Sequence, residues 1–317
     1  MATLYFNSQA SGAGTPNVWD DPLNWWTNIS FTTHAGRIPN STDTVYICDN
    51  VSGMNSLTTV TVSTIYFGTV SPVHYGFWDG DGFGFNVDFN CSNCYIPYGY
   101  VWSSNGTFNV SGLTSVSGVS FIEGTPFNQL GGSINFYNTT TLGQADSNGY
   151  VNLSNGAIAN FYDSSANGSG GNNAGVVTGD AYFYNNSTNS QSNDGGGTTG
   201  FIYGNAYFHN NSTNASSYDI DGNSASIGGT VNGNATFYDS ATNYSYTDAN
   251  AQASGSVTGS LIYTYPLTLT QIQRSIQSAA EASSITLSIA GGGGISLSNV
   301  LLTELLKLPF PIVLWLL

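Results

Sequence analysis

Residues 177–183 read Val-Thr-Gly-Asp-Ala-Tyr-Phe, and this heptapeptide is the first full copy of an internal repeat. It returns with substitutions at residues 202–208, 231–237 and 257–263, and two looser copies end at Phe136 and Phe161. The terminal aromatic residues of successive copies are 25, 22, 25, 29 and 26 residues apart. A repeat of this length indicates structural units that stack on their neighbours.

Small or apolar residues alternate with polar residues within each copy. In a strand, Val, Gly, Ala and Phe would therefore share one face, and Thr, Asp and Tyr the other. A unit of about 25 residues cannot bury a face alone, so copies must stack. The pattern predicts an all-β parallel β-solenoid with rungs of about 22–29 residues. Its predicted core residues are Val177, Phe183, Ile202, Phe208, Val231 and Phe237.

The period does not determine how the strands pair. An antiparallel sandwich with glycine-rich hairpins is therefore the alternative fold. The Gly-, Asn- and Ser-rich segments between copies are predicted as loops on the outside of the stack.

Three regions follow from these patterns. Residues 1–56 are predicted as an N-terminal aromatic cap, residues 57–265 as the solenoid body, and residues 266–317 as a C-terminal tail. Within the cap, Trp25 and Trp26 are expected to cover the open end of the solenoid. The alternative for these two indoles is a platform for stacking sugars.

The tail is predicted to contain a helix at 271–282 capped by Thr270, a strand at 284–290, a four-glycine hinge at 291–294 and a short helix at 299–307. Its last apolar run is too short to cross a bilayer. In water it would form an exposed apolar patch. We expect it to be buried in a subunit interface or a larger assembly, and folding back onto the chain's own core is the alternative. The predicted anchor residues are Leu301, Leu302, Leu305, Leu306, Phe310, Ile312, Leu314 and Trp315.

The composition excludes several classes of partner. Lys and Arg total 3 against 18 Asp and Glu, which gives a formal net charge of −15. Nucleic-acid binding needs basic side chains to neutralise phosphates, and anionic membrane surfaces attract basic segments. We therefore expect neither as a partner. The start of the chain has no basic segment and no long apolar run, so no secretory signal is predicted.

Two groups of residues are candidate metal ligands. Cys91 and Cys94 form a CxxC pair that, with Cys48 and His74, would supply four zinc ligands; thiols that bind no metal are the alternative. Asp79 and Asp81, and the cluster of Asp219, Asp221 and Asn223, offer the oxygen ligands that Ca²⁺ prefers. The same residues also favour tight turns for backbone reasons. No cofactor is predicted beyond this candidate Ca²⁺.

No catalytic residues are predicted. A glycosidase needs two carboxyl groups flanking a groove, and the only glutamates are Glu123, Glu281 and Glu304. The histidines have no recognisable partner spacing. We expect a protein without enzymatic activity.

The repeat Val-x-Gly-x-Ala-x-Phe, followed by Ser-Thr-Asn or Ala-Thr-Asn, resembles the glycoprotein repeat of surface proteins in chloroviruses and related large algal viruses, and repeats in structural proteins of marine phages. The opening residues 1–6, with Trp19, Trp25 and Pro39, are similar to the start of many such proteins. The ending at 291–312 is similar to their tails. The resemblance covers about two thirds of the chain and implies a structural role on a particle surface, with no catalytic residues to transfer.

These observations predict a structural virion protein, a capsid-associated fibre, spike or decoration, with an apolar C-terminal anchor. Its expected partners are further copies of itself, with a trimer favoured, and other capsid or virion proteins. The alternative is an adhesin or receptor-binding fibre of a virus or cell surface that binds host glycans. In that hypothesis Tyr182, Tyr184, Tyr207 and Tyr238 face outward. The expected location is the virion surface, or alternatively an extracellular or cell surface.

Overall fold

The computed structural model describes residues 1–48, 56, 59–68, 83–85, 88–97, 100–103, 107–117, 121–124, 127–143, 149–168, 175–189, 200–214, 229–244, 254–279, 282–289 and 293–298. The strands to residue 140 are β1 (Thr3–Phe6), β2 (Trp25–Trp26), β3 (Thr44–Ile47), β4 (Val60–Phe67), β5 (Phe83–Phe85), β6 (Phe89–Ile96), β7 (Tyr100–Ser103), β8 (Phe108–Val110), β9 (Leu113–Val116), β10 (Phe121–Gly124), β11 (Phe127–Gln129) and β12 (Ser133–Phe136). A single 3₁₀ turn, Pro22–Asn24, precedes β2.

The remaining strands are β13 (Thr141–Leu142), β14 (Gly149–Leu153), β15 (Ile158–Phe161), β16 (Ala166–Asn167), β17 (Gly175–Val177), β18 (Ala181–Phe183), β19 (Gly200–Ile202), β20 (Ala206–Phe208), β21 (Thr230–Val231), β22 (Ala235–Phe237), β23 (Ser256–Val257), β24 (Ser260–Leu267), β25 (Ser284–Ile289) and β26 (Gly293–Ser298). One α-helix, α1 (Leu269–Gln277), lies between β24 and β25.

The chain divides into two units. Unit 1 comprises Met1–Thr140 and Gly149–Ile158, and unit 2 comprises Thr141–Asn148 and Ala159–Leu317. The division falls inside the stretch predicted as one solenoid body.

Unit 1 is built from parallel strands that follow one another in the sheet. β1 pairs with β3, β3 with β4, and β4 with β6, all in parallel. β6 pairs in parallel with both β8 and β9. β8 in turn pairs with β11, and β9 pairs with β12. A second sheet contains β5, β7 and β10. Parallel pairing thus begins at Thr3, upstream of residue 57, while β2 pairs antiparallel with β1 and covers its free edge. Some rungs are shorter than expected, because Asn90, Asn109 and Asn128 are register partners 19 residues apart.

Unit 2 contains the regular repeats. The strands β15, β18, β20, β22 and β24 pair in parallel and in register, so that Ala aligns with Ala and Phe with Phe in the first four. The strands that precede them in each repeat, β17, β19, β21 and β23, form a second series of parallel pairs. This pairing confirms the predicted parallel β-solenoid and rules out the antiparallel sandwich.

The heptapeptide is not the single strand that its alternation suggested. β17 ends at Val177 and β18 starts at Ala181, so a bend at Thr178 and Gly179 separates two short strands. The repeat glycines stack at this bend, where a Cβ on Gly204 would lie 2.5 Å from the carbonyl carbon of Gly179. Glycine is required because the backbones of successive rungs approach too closely for any side chain.

In each repeat, the polar residue that follows the two consecutive aromatic positions lies at a corner where the chain changes direction. Asn185, Asn210 and Asp239 occupy this corner with φ of 60°, 57° and 56°. Asn and Asp adopt the left-handed conformation more readily than other residues that carry a Cβ, which explains their recurrence here.

The C-terminal elements differ in part from the prediction. The helix α1 starts two residues before 271, and its N-cap is Thr268 rather than Thr270, because Gln271 completes a capping box with Thr268. β25 agrees with the predicted strand. Gly293 and Gly294 belong to β26, which pairs antiparallel with β25, so these two residues of the predicted hinge are in a strand. The second predicted helix and all the anchor residues lie outside the described residues.

No helix in the described part of the chain combines the length and hydropathy that a membrane span requires.

Candidate functional site

The core of unit 2 contains a stack of aromatic rings that we call the phenylalanine column. Adjacent ring centroids are 4.7, 4.7, 4.8 and 4.9 Å apart, and interplanar angles do not exceed 21°. Every ring is at most 1% exposed. The residues predicted as repeat core on β17 to β22 are likewise at most 1% exposed. The members of the column are Phe161, Phe183, Phe208, Phe237 and Tyr263.

A second buried stack, the asparagine column, follows the phenylalanine column in each rung of the chain. Its side-chain amides donate from one rung to the next over Nδ2···Oδ1 distances of 2.8, 2.8 and 2.9 Å. All four side chains are completely buried. The column consists of Asn167, Asn189, Asn214 and Asn243. In the sequence, Asn189, Asn214 and Asn243 are the last positions of Ser-Thr-Asn and Ala-Thr-Asn segments, whereas Asn167 ends a Ser-Ala-Asn segment. Their burial was not predicted.

The asparagine column has a direction. At one end, the Asn243 amide donates to the carbonyls of Gly255 and Ser278, each at 2.9 Å. Ser278 is the C-cap of α1, where a helix leaves carbonyl acceptors without an internal partner. At the other end, Oδ1 of Asn167 is buried with no hydrogen-bond donor among the described residues.

Two outward-facing stacks flank these buried columns. The first, the outer aromatic column, has centroid separations of 4.9, 5.0 and 4.4 Å and consists of Tyr162, Tyr184, His209 and Tyr238. Burial against its neighbours lowers the pKa of His209. The second is the pair Tyr182 and Tyr207, with rings 4.6 Å apart.

The four tyrosines predicted to face outward are half-buried in these stacks. Tyr184 has an aromatic ring against each face, and Tyr182, Tyr207 and Tyr238 each have a ring against one face. Sugar stacking needs an open ring face. The stacking therefore reduces the ring area open to a sugar, and the tyrosine hydroxyl groups are the candidate hydrogen-bonding groups.

The tryptophans of the N-terminal region are buried. Trp25 is 0% exposed and its indole N–H donates to the Trp19 carbonyl at 2.8 Å. Trp26 is 2% exposed and its indole N–H donates to the Asn7 carbonyl at 3.1 Å. Because both indoles are buried, neither can serve as the sugar-stacking platform that the sequence left as an alternative.

One ion pair holds the start of unit 1. The buried carboxylate of Asp43 accepts from Arg37 at 2.6 Å and from the backbone N–H groups of Ala2 and Asn40 at 2.9 and 3.0 Å. The hydrogen bond from Arg37, reinforced by these backbone donors, lowers the pKa of Asp43 to about 2. This carboxylate is a structural clamp between β1 and the turn before β3.

The structure does not bring the three cysteines together as a cluster of metal ligands. Cys48, Cys91 and Cys94 are buried and outside any disulfide, and no group of three metal-ligating side chains occurs among the described residues. Burial raises the pKa of Cys94. His74 and the candidate calcium ligands Asp79, Asp81, Asp219, Asp221 and Asn223 lie outside the described residues.

Comparisons with protein-family models, with curated proteins and with solved structures each found no match for this chain.

Proposed function

We propose that this chain is a structural protein of a virion surface, forming part of a fibre, spike or capsid decoration. The observation that carries the proposal is the in-register stacking of the phenylalanine and asparagine columns in unit 2. Both columns use the interior of the solenoid for side-chain contacts between rungs. Such a core supports a rigid scaffold, because each rung is fixed by packing and hydrogen bonds to its neighbours.

The resemblance to repeats of particle-surface proteins supports the location. The surface strands also fit it, since they expose neutral Thr, Asn and Tyr and the chain carries only 7% charged residues. We further propose that the apolar residues after 300 anchor the protein to the particle or join its copies, because an exposed apolar run of this kind is stabilised by burial.

Two experiments test this proposal. An antiserum against residues 1–298 should label intact particles produced by the source organism, as seen by immunogold microscopy. Labelling confined to soluble cell fractions would overturn the virion role. In solution, full-length protein should be a symmetric oligomer, and a form ending at Ala290 should be a soluble monomer by light scattering. An unchanged oligomer after truncation would overturn the role of the tail.

Host-glycan binding is the second candidate function. The ladder of tyrosine hydroxyls on unit 2 is the observation that favours it, because hydroxyl groups both donate and accept hydrogen bonds. Loss of binding to host glycans in the Tyr182→Phe, Tyr207→Phe double variant would support it, and equal binding would count against it.

A further inference from the structure

A surface cavity in unit 1 has the chemistry of a sugar site, and it lies apart from the tyrosine stacks. Its volume is about 360 Å³, at the lower end of the range for small-ligand pockets, about 300–1,000 Å³. The described residues that line it include Asn7, Gln9, Ser11, Ser30, Phe31 and Cys48. We propose that this cavity binds a neutral saccharide, a function that does not depend on the structural role proposed above.

The lining selects the class of ligand. Its described side chains carry no charge, so neither an anion nor a metal ion would find a counter-charge there. Side-chain amides and hydroxyls both donate and accept hydrogen bonds, which matches the alternating demands of sugar hydroxyl groups. The net charge of −15 further disfavours acidic ligands.

Phe31 supplies the apolar element of the site, and its backbone is unusual. Its φ is 52°, a left-handed value that is an outlier for a bulky residue. Strained residues of this kind persist only when the surrounding structure imposes them, and they concentrate at ligand sites.

A tight turn imposes this conformation. The Thr32 N–H donates to Oδ1 of Asn28 at 3.0 Å, and the Asn28 amide donates to Oγ1 of Thr32 at 2.8 Å. The Phe31 N–H also donates to the Asn28 carbonyl at 3.2 Å. Asn or Gly at position 31 would satisfy the same turn without strain, so the phenyl group is not needed to form it.

The buried Trp26 contacts two of the residues that line the cavity. The ring centroids of Phe31 and Trp26 are 6.0 Å apart in an edge-to-face arrangement, with an interplanar angle of 73°. Trp26 in turn donates to the carbonyl of Asn7, another lining residue. Phe31 and Asn7 thus both contact the buried indole of Trp26, which helps to preorganise the site.

The test uses full-length protein on an array of neutral mono- and oligosaccharides, followed by saturation-transfer NMR with the best binder. We expect binding by the native chain, at least tenfold weaker binding by Phe31→Asn and Gln9→Ala, and saturation transfer from the phenyl protons. Tyr203→Ala is the matched control, because Tyr203 is 57% exposed and lies on unit 2. It should bind as the native chain does.

The thermal stability of the Phe31→Asn variant distinguishes a role of Phe31 in ligand binding from a role in holding the fold. We expect its thermal midpoint to equal or exceed that of the native chain while saccharide binding falls. A silent neutral array, or undiminished binding by Phe31→Asn, would overturn the proposal. Particle labelling by the antiserum is independent of this site, so the two proposals can fail separately.

Discussion

The side-chain amide of Asn189 donates to Oδ1 of Asn214 across 2.8 Å, and both side chains are completely buried although the residues are 25 positions apart. Asn189 and Asn214 thus each accept a hydrogen bond from the preceding asparagine of the column and donate one to the next. A buried amide without its partners is destabilising, so the column requires Asn at every rung that it crosses.

Asn214→Ala should lower the free energy of unfolding by about 2–5 kcal/mol. The substitution leaves a buried donor on Asn189 and a buried acceptor on Asn243, and each unsatisfied group costs about 1–3 kcal/mol. Urea unfolding measured by circular dichroism would report the loss. Asn186→Ala is the control, because Asn186 is exposed, and it should change stability by less than about 0.5 kcal/mol. Equal effects of the two variants would contradict the role of the column.

Gly233→Ala should destabilise unit 2 by about 1–3 kcal/mol through overpacking. A Cβ at this position would lie 2.4 Å from the carbonyl oxygen of Gly204, a backbone atom that cannot move aside without disturbing the rung. Gly156→Asn provides the comparison, because a Cβ there meets nothing within 4 Å and Asn tolerates its φ of 75°. Thermal melts of both variants would check this, and a Gly233→Ala melt at the native midpoint would refute the close stacking of rungs.

The stability of unit 1 should depend on pH through Asp43. Its pKa is lowered from 3.8 to about 2, so its ionised form stabilises the fold above pH 4, and this contribution is lost as the pH falls from 4 to 2. The shift corresponds to about 2 kcal/mol. Native protein should exceed Asp43→Asn in unfolding free energy by about that amount at pH 6, and the gap should narrow below pH 3. A gap that stays constant from pH 6 to pH 2 would show that the carboxylate's charge is irrelevant.

The three cysteines should be present as protected thiols. Cys48, Cys91 and Cys94 are buried, and burial raises the pKa of Cys94, which lowers its thiolate fraction at neutral pH. Ellman's reagent, without added reductant, should react slowly with the native protein and detect all three thiols in denaturant. Detection of one thiol in denaturant would instead indicate a disulfide.

Several features of the fold were accessible from the sequence because they are local and periodic. The aromatic at the end of each repeat and the Val or Ile at its start mark the core, since apolar side chains that recur at a fixed period must share one buried surface. The Gly in the third position was wrongly placed in the middle of one strand, and its close packing against the adjacent rung was seen only in the structure. Alternation cannot distinguish a continuous strand from two strands joined at a bend, because both place the same residues inside.

The zinc hypothesis and the asparagine column both depend on contacts in space that a sequence pattern does not specify. The zinc hypothesis combined Cys48 with the CxxC pair because ligand type and spacing suggested it, yet spacing along the chain does not determine which side chains meet in space. The asparagine column was missed for the opposite reason. Asn at the end of a polar segment has the composition of a surface loop, and only the partner one rung away makes its burial favourable.

By itself, the sequence determined an all-β protein of stacked repeats, because the repeat spacing and the apolar pattern leave each unit dependent on its neighbours for burial. It left the strand pairing open between a parallel solenoid and an antiparallel sandwich, and the tertiary structure decided for parallel pairing. The tertiary structure decided the register of the rungs. That register places Phe183 on Phe208 and Asn189 on Asn214. In unit 1, tertiary packing buries Trp25 and Trp26 and forms the surface cavity beside Phe31. These features depend on contacts between residues that are distant in sequence, and a local sequence pattern does not specify which of those contacts form.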